Sequence, residues 1–366
     1  MEIVTDVFPS ELVIEILSWL PVLSLIRFKC VCKSWKSLIS HNKAFAKLQL
    51  ERTSLKINHV ILTSSDSSFI PCSLPRLLEE PSSIMDQDQD RCLRLDKFEY
   101  NEVIGSCNGL ICLHADYCAP GFCFRPCNPS TRLRFDKSPP LASMGSSLNF
   151  GFGYDVSCDT YKVVVVVSQL RLRGLRLCKT MLHSIGDTCW REILSVPDVP
   201  IEFRQINGLF VGGCVNWLAN KFEPFEQLVI VSLDMRQEAY RLLSLPQGTS
   251  ELPSAEIQVL GNCLCLFYDF KRTHFVAWKM SEYGVPESWT PLLTISYEHL
   301  RWDHRFYLNQ WLICLCGDGH IFMLAKKQKL VIIYNLSDNS VKYVELASNK
   351  LWLDANDYVE SLVSPC

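Results

Sequence analysis

The sequence lacks a field of either charge: 36 Lys+Arg stand against 39 Asp+Glu in 366 residues, a net charge of -3. Nucleic-acid binding by counterion release needs a basic surface that this balance does not supply, so nucleic acid is not an expected partner. Also missing is any uncharged apolar run near the ~18 residues needed to cross a bilayer. Met1-Glu2-Ile3-Val4-Thr5-Asp6 has neither the basic start nor the apolar stretch of a secretory leader. No membrane partner is expected, and the cytoplasm or nucleus is the expected location. Catalytic signatures are absent as well. Gly151-Phe152-Gly153 is followed by Val156 where a dinucleotide loop needs a third glycine, and no Gly-x4-Gly-Lys-Ser/Thr, Gly-x-Ser-x-Gly or His-Glu-x-x-His occurs. With no nucleophile, base and orienting group in one motif, neither an enzyme nor a cofactor is expected.

Cysteine is plentiful instead, with 18 residues. In a long chain without a leader these read as mostly reduced, small, buried apolar groups rather than a disulfide framework. Cys107, Cys112, Cys118, Cys123 and Cys127 crowd one region, but none of their spacings is the C-x2-C knuckle that turns two thiolates onto one ion. Cys263/Cys265 and Cys314/Cys316 are two apart in strand-like runs, which puts each pair on one sheet face. Cys30 and Cys32 would diverge by about 200° on a continuous helix, so they are expected at a junction between helices, not around a metal. Asn335-Leu336-Ser337, a formal glycosylation sequon, reads as an ordinary strand end.

The chain divides by hydrophobic period. From Phe8 to Ser40 the spacing is helical: Leu12, Ile16 and Leu20 recur four apart, and Val13 and Leu17 widen the stripe. Pro9 and Pro21 bracket a first helix, Leu23 to Cys30 predicts a second, the run from Cys32 a third, and Asn42 to Leu50 a fourth. So few helices cannot enclose a large core, and their broad stripes leave apolar surface that needs a partner. Beyond Thr53 the grammar becomes that of strands: short Val, Ile, Leu and aromatic runs broken by Gly, Asn, Asp, Ser and Pro. Val163 to Val167 and Leu330 to Tyr334 are apolar throughout, as strands buried on both faces are. Glu79 to Asp90, acidic and apolar-poor, reads as an exposed loop.

The strand region repeats itself weakly. "GSCNGLICL" (Gly105 to Leu113), "GGCVNWLA" (Gly212 to Ala219), "GNCLCLFYD" (Gly261 to Asp269) and "WLICLCGDG" (Trp311 to Gly319) each join a strand to its turn. "CNPSTRLRF" (Cys127 to Phe135), "SLDMRQEAYRLLSLP" (Ser232 to Pro246) and "YNLSDNSVKYVEL" (Tyr334 to Leu346) read as hairpins around an Asn or Asp. Modules beginning near residues 105, 150, 207, 258 and 308 have a period of roughly 50, the length of a kelch-type propeller blade. The segment between Thr53 and Tyr100 makes about six blades in all. Asp357 to Val363 is expected to close the ring against a strand near Ile57 to Leu62. The expected class is therefore mainly β with a small α-helical N-terminal module.

"FPSELVIEILSWLPVLSLIRFKCVCKSWKSLIS" (Phe8 to Ser40) strongly resembles the F-box, the three-helix module that binds the adaptor Skp1 in SCF ubiquitin ligases. The likeness is carried by Phe8-Pro9, Glu11, Ile16-Leu17, Leu20-Pro21, Leu25, Arg27, Val31-Cys32-Lys33 and Trp35, several fixed spacings agreeing together. The remainder resembles the plant F-box-associated, kelch-like interaction domain through "GSCNGLICL", "CNPSTR", "FGFGYD" (Phe150 to Asp155), "YKVV" (Tyr161 to Val164), "GGCVNWLA" and "YVESLVS". Cys127-Asn128-Pro129 departs from the Trp-Asn-Pro usual in that family.

The resemblance implies an F-box at 1–50 and a kelch-like β-propeller at 51–366, which the repeat period divides into about six blades. The implied role is substrate recognition in an SCF E3 ubiquitin ligase. The helices would hold Skp1, and through it cullin and the RING subunit; the propeller would hold a protein target that the sequence does not name. The family includes S-locus F-box proteins that recognise S-ribonucleases, and nothing in the sequence separates that subgroup. Residue by residue, the adaptor-facing set is Phe8, Pro9, Leu12, Ile16, Leu20, Pro21, Leu25, Val31, Cys32 and Trp35, with Trp35 and Ile16 the members most expected in the helices' own core. Tyr297 to Phe306 and Cys178 to His183 are candidate target-binding loops. A propeller enzyme or carbohydrate-binding propeller is the competing reading, and the helical N-terminus argues against it.

Overall fold

Two prolines and two side-chain caps punctuate the helices. Pro9 and Pro21 stand one residue before α1 (Ser10–Ser18) and α2 (Val22–Phe28). Cys32 caps α3 (Lys33–His41) by accepting the Trp35 N–H on its Sγ at 3.5 Å, and Asn42 caps α4 (Lys43–Ser54) by accepting the Phe45 N–H at 2.9 Å. The computed structural model describes residues 9–54, 59–64, 68–73, 93–94, 102–118, 121–142, 147–170, 176–193, 200–222, 224–249, 252, 254–301, 311–315, 320–325, 330–345 and 352–364. The acidic stretch Glu79 to Asp90 lies outside these residues.

The described strands form six antiparallel sheets. Blade 1 takes its inner strand, Trp352–Tyr358, from late in the chain and adds His59–Ser64, Ser68–Ser73 and Leu93–Arg94. Blade 2 is Glu102–Cys107, Leu110–Cys118, Gly121–Asn128 and Leu133–Arg134; blade 3 is Ser147–Asp155, Thr160–Leu170, Arg176–Ser184 and Arg191–Ile193. Blade 4 has an inner strand split into Ile201–Phe203 and Leu209–Val211, followed by Cys214–Lys221, Gln227–Asp234 and Tyr240–Leu243. Blade 5 is Ala255–Leu260, Cys263–Phe270, His274–Met280 and Trp289–Ser296; blade 6 is Trp311–Leu315, His320–Ala325, Leu330–Asn335 and Val341–Glu345. The inner strands touch in the order 2, 3, 4, 5, 6, 1 and back to 2, so the sheets form a closed six-bladed propeller.

The valine run shows why the repeat works. Val163, Val165 and Val167 point into the core shared with blade 2, while Val164 and Val166 point into the core shared with blade 4. A strand buried on both faces has no polar side, and a continuous apolar run follows. Cys265 sits likewise in the core between blades 5 and 6, and Leu264 and Leu266 in that between blades 4 and 5. Gly151 and Gly153, which lack the third glycine of a dinucleotide loop, lie in the inner strand of blade 3. A Cβ at Gly151 would come within 2.9 Å of the Trp217 ring and one at Gly153 within 2.6 Å of Phe210. They admit blade 4, and Trp217 Nε1 donates to Phe150 O at 2.9 Å across the same seam.

The hairpins around Asn or Asp are the turns between third and fourth strands. Asn128, Asp234 and Asn335 accept the N–H two residues on, at 2.9, 2.8 and 2.8 Å. Asn335 is thus the strand end expected at the sequon. Tryptophans near these turns tie neighbouring blades: Trp190 Nε1 donates to Pro139 O at 2.8 Å, and Trp289 Nε1 to Ser244 O at 3.0 Å.

Ring closure differs in detail from the expectation. The closing strand is Trp352–Tyr358, paired with His59–Ser64, and Val359–Ser364 leaves the sheet. Asn128 Nδ2 donates to Ser361 O at 3.0 Å and Val363 O at 2.8 Å, Ser361 Oγ donates to Asn108 O at 2.9 Å, and Ser130 Oγ bonds Tyr358 OH at 2.6 Å. Gly109, at φ +79°, has no room for a side chain: a Cβ would fall 2.1 Å from Ser361 Oγ. Three motifs far apart in sequence, "CNG", "CNPS" and "YVESLV", therefore meet at one seam.

A buried ion cluster joins blades 3 and 4. Lys162 Nζ, on a side chain only 5% exposed, donates to Asp155 Oδ2 at 2.6 Å, Met235 O at 2.8 Å and Glu238 Oε1 at 2.8 Å, and Arg191 clamps Glu238 from outside. Burial alone would raise the Asp155 carboxyl, but the Lys162 ammonium and the Ser157 donors outweigh it and hold it down to about 2. Lys162→Met strands a buried carboxylate and is expected to cost ~3–5 kcal/mol in urea unfolding, with Asp155→Leu/Lys162→Met losing much less. Because the Asp155 pKa is depressed, its contribution is complete above the unfolded value near 3.8 and disappears as pH falls toward about 2. An acid titration of stability checks the sign.

Candidate functional site

α1 carries two apolar stripes at the same helical spacing. Val13 and Leu17, with Leu20 just beyond, turn inward against Val22, Leu25, Ile39, Phe45 and Ala46. Leu12, Ile16 and Trp19 turn outward, 50%, 60% and 53% exposed. Three large apolar side chains at i, i+4 and i+7 on one small unit form a surface that water does not favour. Trp19 was not among the residues the sequence singled out, although its spacing from Leu12 was the available signal.

Trp19 is held in place. Its Nε1 donates to Glu15 Oε1 at 3.2 Å, and the Arg52 guanidinium, reaching from α4, lies 4.6 Å from the ring centre. Arg52 also bonds Glu15 Oε2 at 2.6 Å, Glu15 O at 3.0 Å and Ser18 Oγ. The Arg52 bond, then that from Trp19, keeps the Glu15 carboxyl below its ordinary range. The aromatic ring therefore presents a fixed face.

The expected adaptor-facing residues separate by burial. Pro9, Leu12, Ile16, Pro21 and Val31 are exposed, and Leu20, Cys32 and Trp35 are half-buried. Leu25 is completely buried at the centre of the helical core, where it can support a surface but not contact a partner. Phe8 lies outside the described residues. Ile16, in the adaptor-facing set yet one of its two likelier core members, is exposed, because Val13 and Leu17 fill the inward stripe. Trp35 packs partly on the core, its ring 5.7 Å from that of Phe28. Val31, 61% exposed, projects from the turn between α2 and α3, flanked by Cys30 and Cys32.

The cysteines have structural surroundings. Cys32 is the α3 cap, its thiol lowered by the Ser34 hydroxyl and then the Trp35 N–H. Cys107, Cys112 and Cys127 are buried and their thiols raised by desolvation, that of Cys127 to about 12. Cys123 is disulfide-bonded. The candidate loop Cys178 to His183 is a correction: it lies within the third strand of blade 3. In the other candidate, Tyr297 and Leu300 are buried in a turn, and residues 302–310 lie outside the described residues.

Exposure and burial on α1 and α2 predict opposite effects on stability. Leu25→Ala is expected to cost ~2–5 kcal/mol, while Leu12→Ala and Ile16→Ala should stay within about 0.5 kcal/mol of the parent. Denaturant titration followed by hydrogen exchange on α1–α4 measures both.

Comparison with known proteins agrees with this division. Residues 7–47 match the F-box domain family and residues 59–352 the F-box associated beta propeller domain family. An F-box/kelch-repeat protein of Arabidopsis thaliana is 30% identical over 98% of this chain and 95% of its own length. A second F-box protein of Arabidopsis thaliana is 28% identical over 98% of each chain. Among solved structures, a chain of the nidogen/laminin complex aligns over 82% of this chain and 98% of its own at 10% identity and a TM-score of 0.43, a likeness too slight to carry an argument. Two adjoining family matches that follow the observed change from helices to blades leave one assignment: the chain belongs to the F-box proteins that carry an F-box-associated β-propeller domain.

Proposed function

We propose that this protein is a non-catalytic substrate receptor of an SCF ubiquitin ligase, binding Skp1 through the helical unit and a target protein through the propeller. The observation that carries the reading is the outward stripe of Leu12, Ile16 and Trp19 on a helix whose opposite stripe is already packed. A protein adaptor that buries this stripe removes the exposed apolar surface, and Trp and its neighbours supply the kind of anchors that dominate interface energy. Pro9, Pro21 and Val31 extend the surface, and Leu20, Cys32 and Trp35 support it.

The contribution to ubiquitin transfer is proximity. Holding a target beside the cullin-bound conjugating enzyme raises the effective concentration of the target's lysines. The tail meets the ring at the Asn108-Gly109 turn, and Lys47 of α4 pairs with Asp159 of the Val156–Asp159 turn, which leaves the opposite strand ends for a target. There the turns of blades 4 and 5 expose Phe222, Phe225 and Phe270. Recognition of an S-ribonuclease, the narrower expectation, has no specific support among the relatives named above. No helix among the described residues is long and apolar enough to cross a membrane, in keeping with action in the cytoplasm or nucleus.

Leu12→Asp/Ile16→Asp is expected to weaken Skp1 binding at least 100-fold, since each apolar anchor loss exceeds ~1.4 kcal/mol. The melting temperature should hardly move. Undiminished Skp1 binding by this variant in a titration experiment overturns the assignment of the stripe.

A further inference from the structure

We propose that the segment Val359–Ser364 completes the core of the helical unit, so that the Skp1-facing surface becomes competent only after the propeller ring has closed. The identity of the partner rests on the reading above; the coupling itself does not. Leu362 is 6% exposed and belongs to the same apolar cluster as Leu17, Val22, Leu25, Ile39, Phe45 and Ala46. Among the described residues it is the one member of that cluster contributed from beyond the closing strand. Thr53 Oγ1, at the end of α4, reaches the Glu360 carbonyl at 3.5 Å across 307 residues of sequence.

The position of Leu362 is set by the ring. Its neighbours Ser361 and Val363 are fixed to blade 2 by both Asn128 Nδ2 bonds and by the Ser361 Oγ to Asn108 O bond, and Gly109 lies directly under Ser361. Tyr358, the last residue of the closing strand, bonds Ser130 in the same turn of blade 2. Pairing of Trp352–Tyr358 with His59–Ser64 thus delivers Leu362 to the helices. A unit of about four short helices is too small to hold its core robustly alone, so losing one fully inserted leucine loosens the scaffold behind Leu12, Ile16 and Trp19. The consequence is a folding checkpoint: the helices are made first, yet a chain whose ring has not closed presents an incomplete adaptor site.

The test uses the whole chain. Leu362→Asp places a carboxylate in the helical core without altering any strand or any Skp1-facing residue; Asn128→Ala removes both Asn128 Nδ2 bonds that hold the tail to blade 2 without touching the helices. Both are expected to reduce amide protection in α1–α4 at least tenfold and to weaken Skp1 binding at least tenfold, with protection at Val163–Val167 retained. Leu362→Met, which keeps size and polarity, should behave as the parent does. Unchanged helix protection and Skp1 affinity in Leu362→Asp overturn the proposal. If Leu362→Asp does not fold, Asn128→Ala decides in the same two readouts. Failure of the parent itself to bind Skp1 overturns the adaptor assignment, and helix protection in the variants then decides the coupling alone.

Discussion

The antiparallel pairing of Trp352–Tyr358 with His59–Ser64 is the constraint on which the remaining structure depends. A row of twisted sheets packed face to face has two exposed ends, and each exposes an apolar face and unpaired strand edges. Joining a late strand to an early one removes both ends at once. It also fixes where the helices sit: α4 ends at Ser54, just before the early strand, and the late strand continues into the tail that carries Leu362. The helical unit is therefore seated at the seam of the ring because the chain enters and leaves the ring there.

Between blades, apolar packing supplies the cohesion and polar groups supply the alignment. Valines on both faces of one strand would tolerate small slips past their neighbours. The Lys162 cluster would not, because Asp155, the Met235 carbonyl and Glu238 must all meet one ammonium. Tryptophan bonds from Trp190 to Pro139 and from Trp289 to Ser244 act in the same way at the outer edge. Buried polar groups of this kind add modest net stability but penalise any other register.

The architecture was legible because its signals are local. The first hairpins of blades 2, 4 and 5 turn on two residues, which marks the sequence with Asn108-Gly109, Gly212-Gly213 and Gly261-Asn262, all at positive φ. In blades 2, 4 and 6 the Asn or Asp that closes the third strand marks it again. Inner strands begin at Glu102, Ser147, Ala255 and Trp311, close to the spacing read from the sequence, with Leu209 resuming the split strand of blade 4. The orientation of α1 was not legible. Leu12, Ile16 and Trp19 have the same spacing as Val13, Leu17 and Leu20, and periodicity identifies stripes without saying which one faces inward. Ile16, in the adaptor-facing set yet also a candidate for the core, could not be placed from spacing for that reason. The closing strand was placed too late, at Asp357–Val363, because ring closure requires a late strand without saying where it ends; the polar atoms of the tail instead bond turns of blade 2, a long-range arrangement that no local pattern encodes.

The proximity mechanism proposed above would demand that the two ends of the chain not swing freely, and the junction meets that demand without relying on charge. Lys47 and Asp159 pair at 2.8 Å across it, but both side chains are half exposed, where solvent and salt screen the attraction. Leu362 is buried on the helical side and Ser361 on the ring side, with one short stretch of backbone between them. Apolar insertion and buried hydrogen bonds are little affected by ionic strength. Orientation of the helical unit relative to the ring is therefore set mainly by this backbone, and the same short stretch that completes the helical core also ties it to the ring.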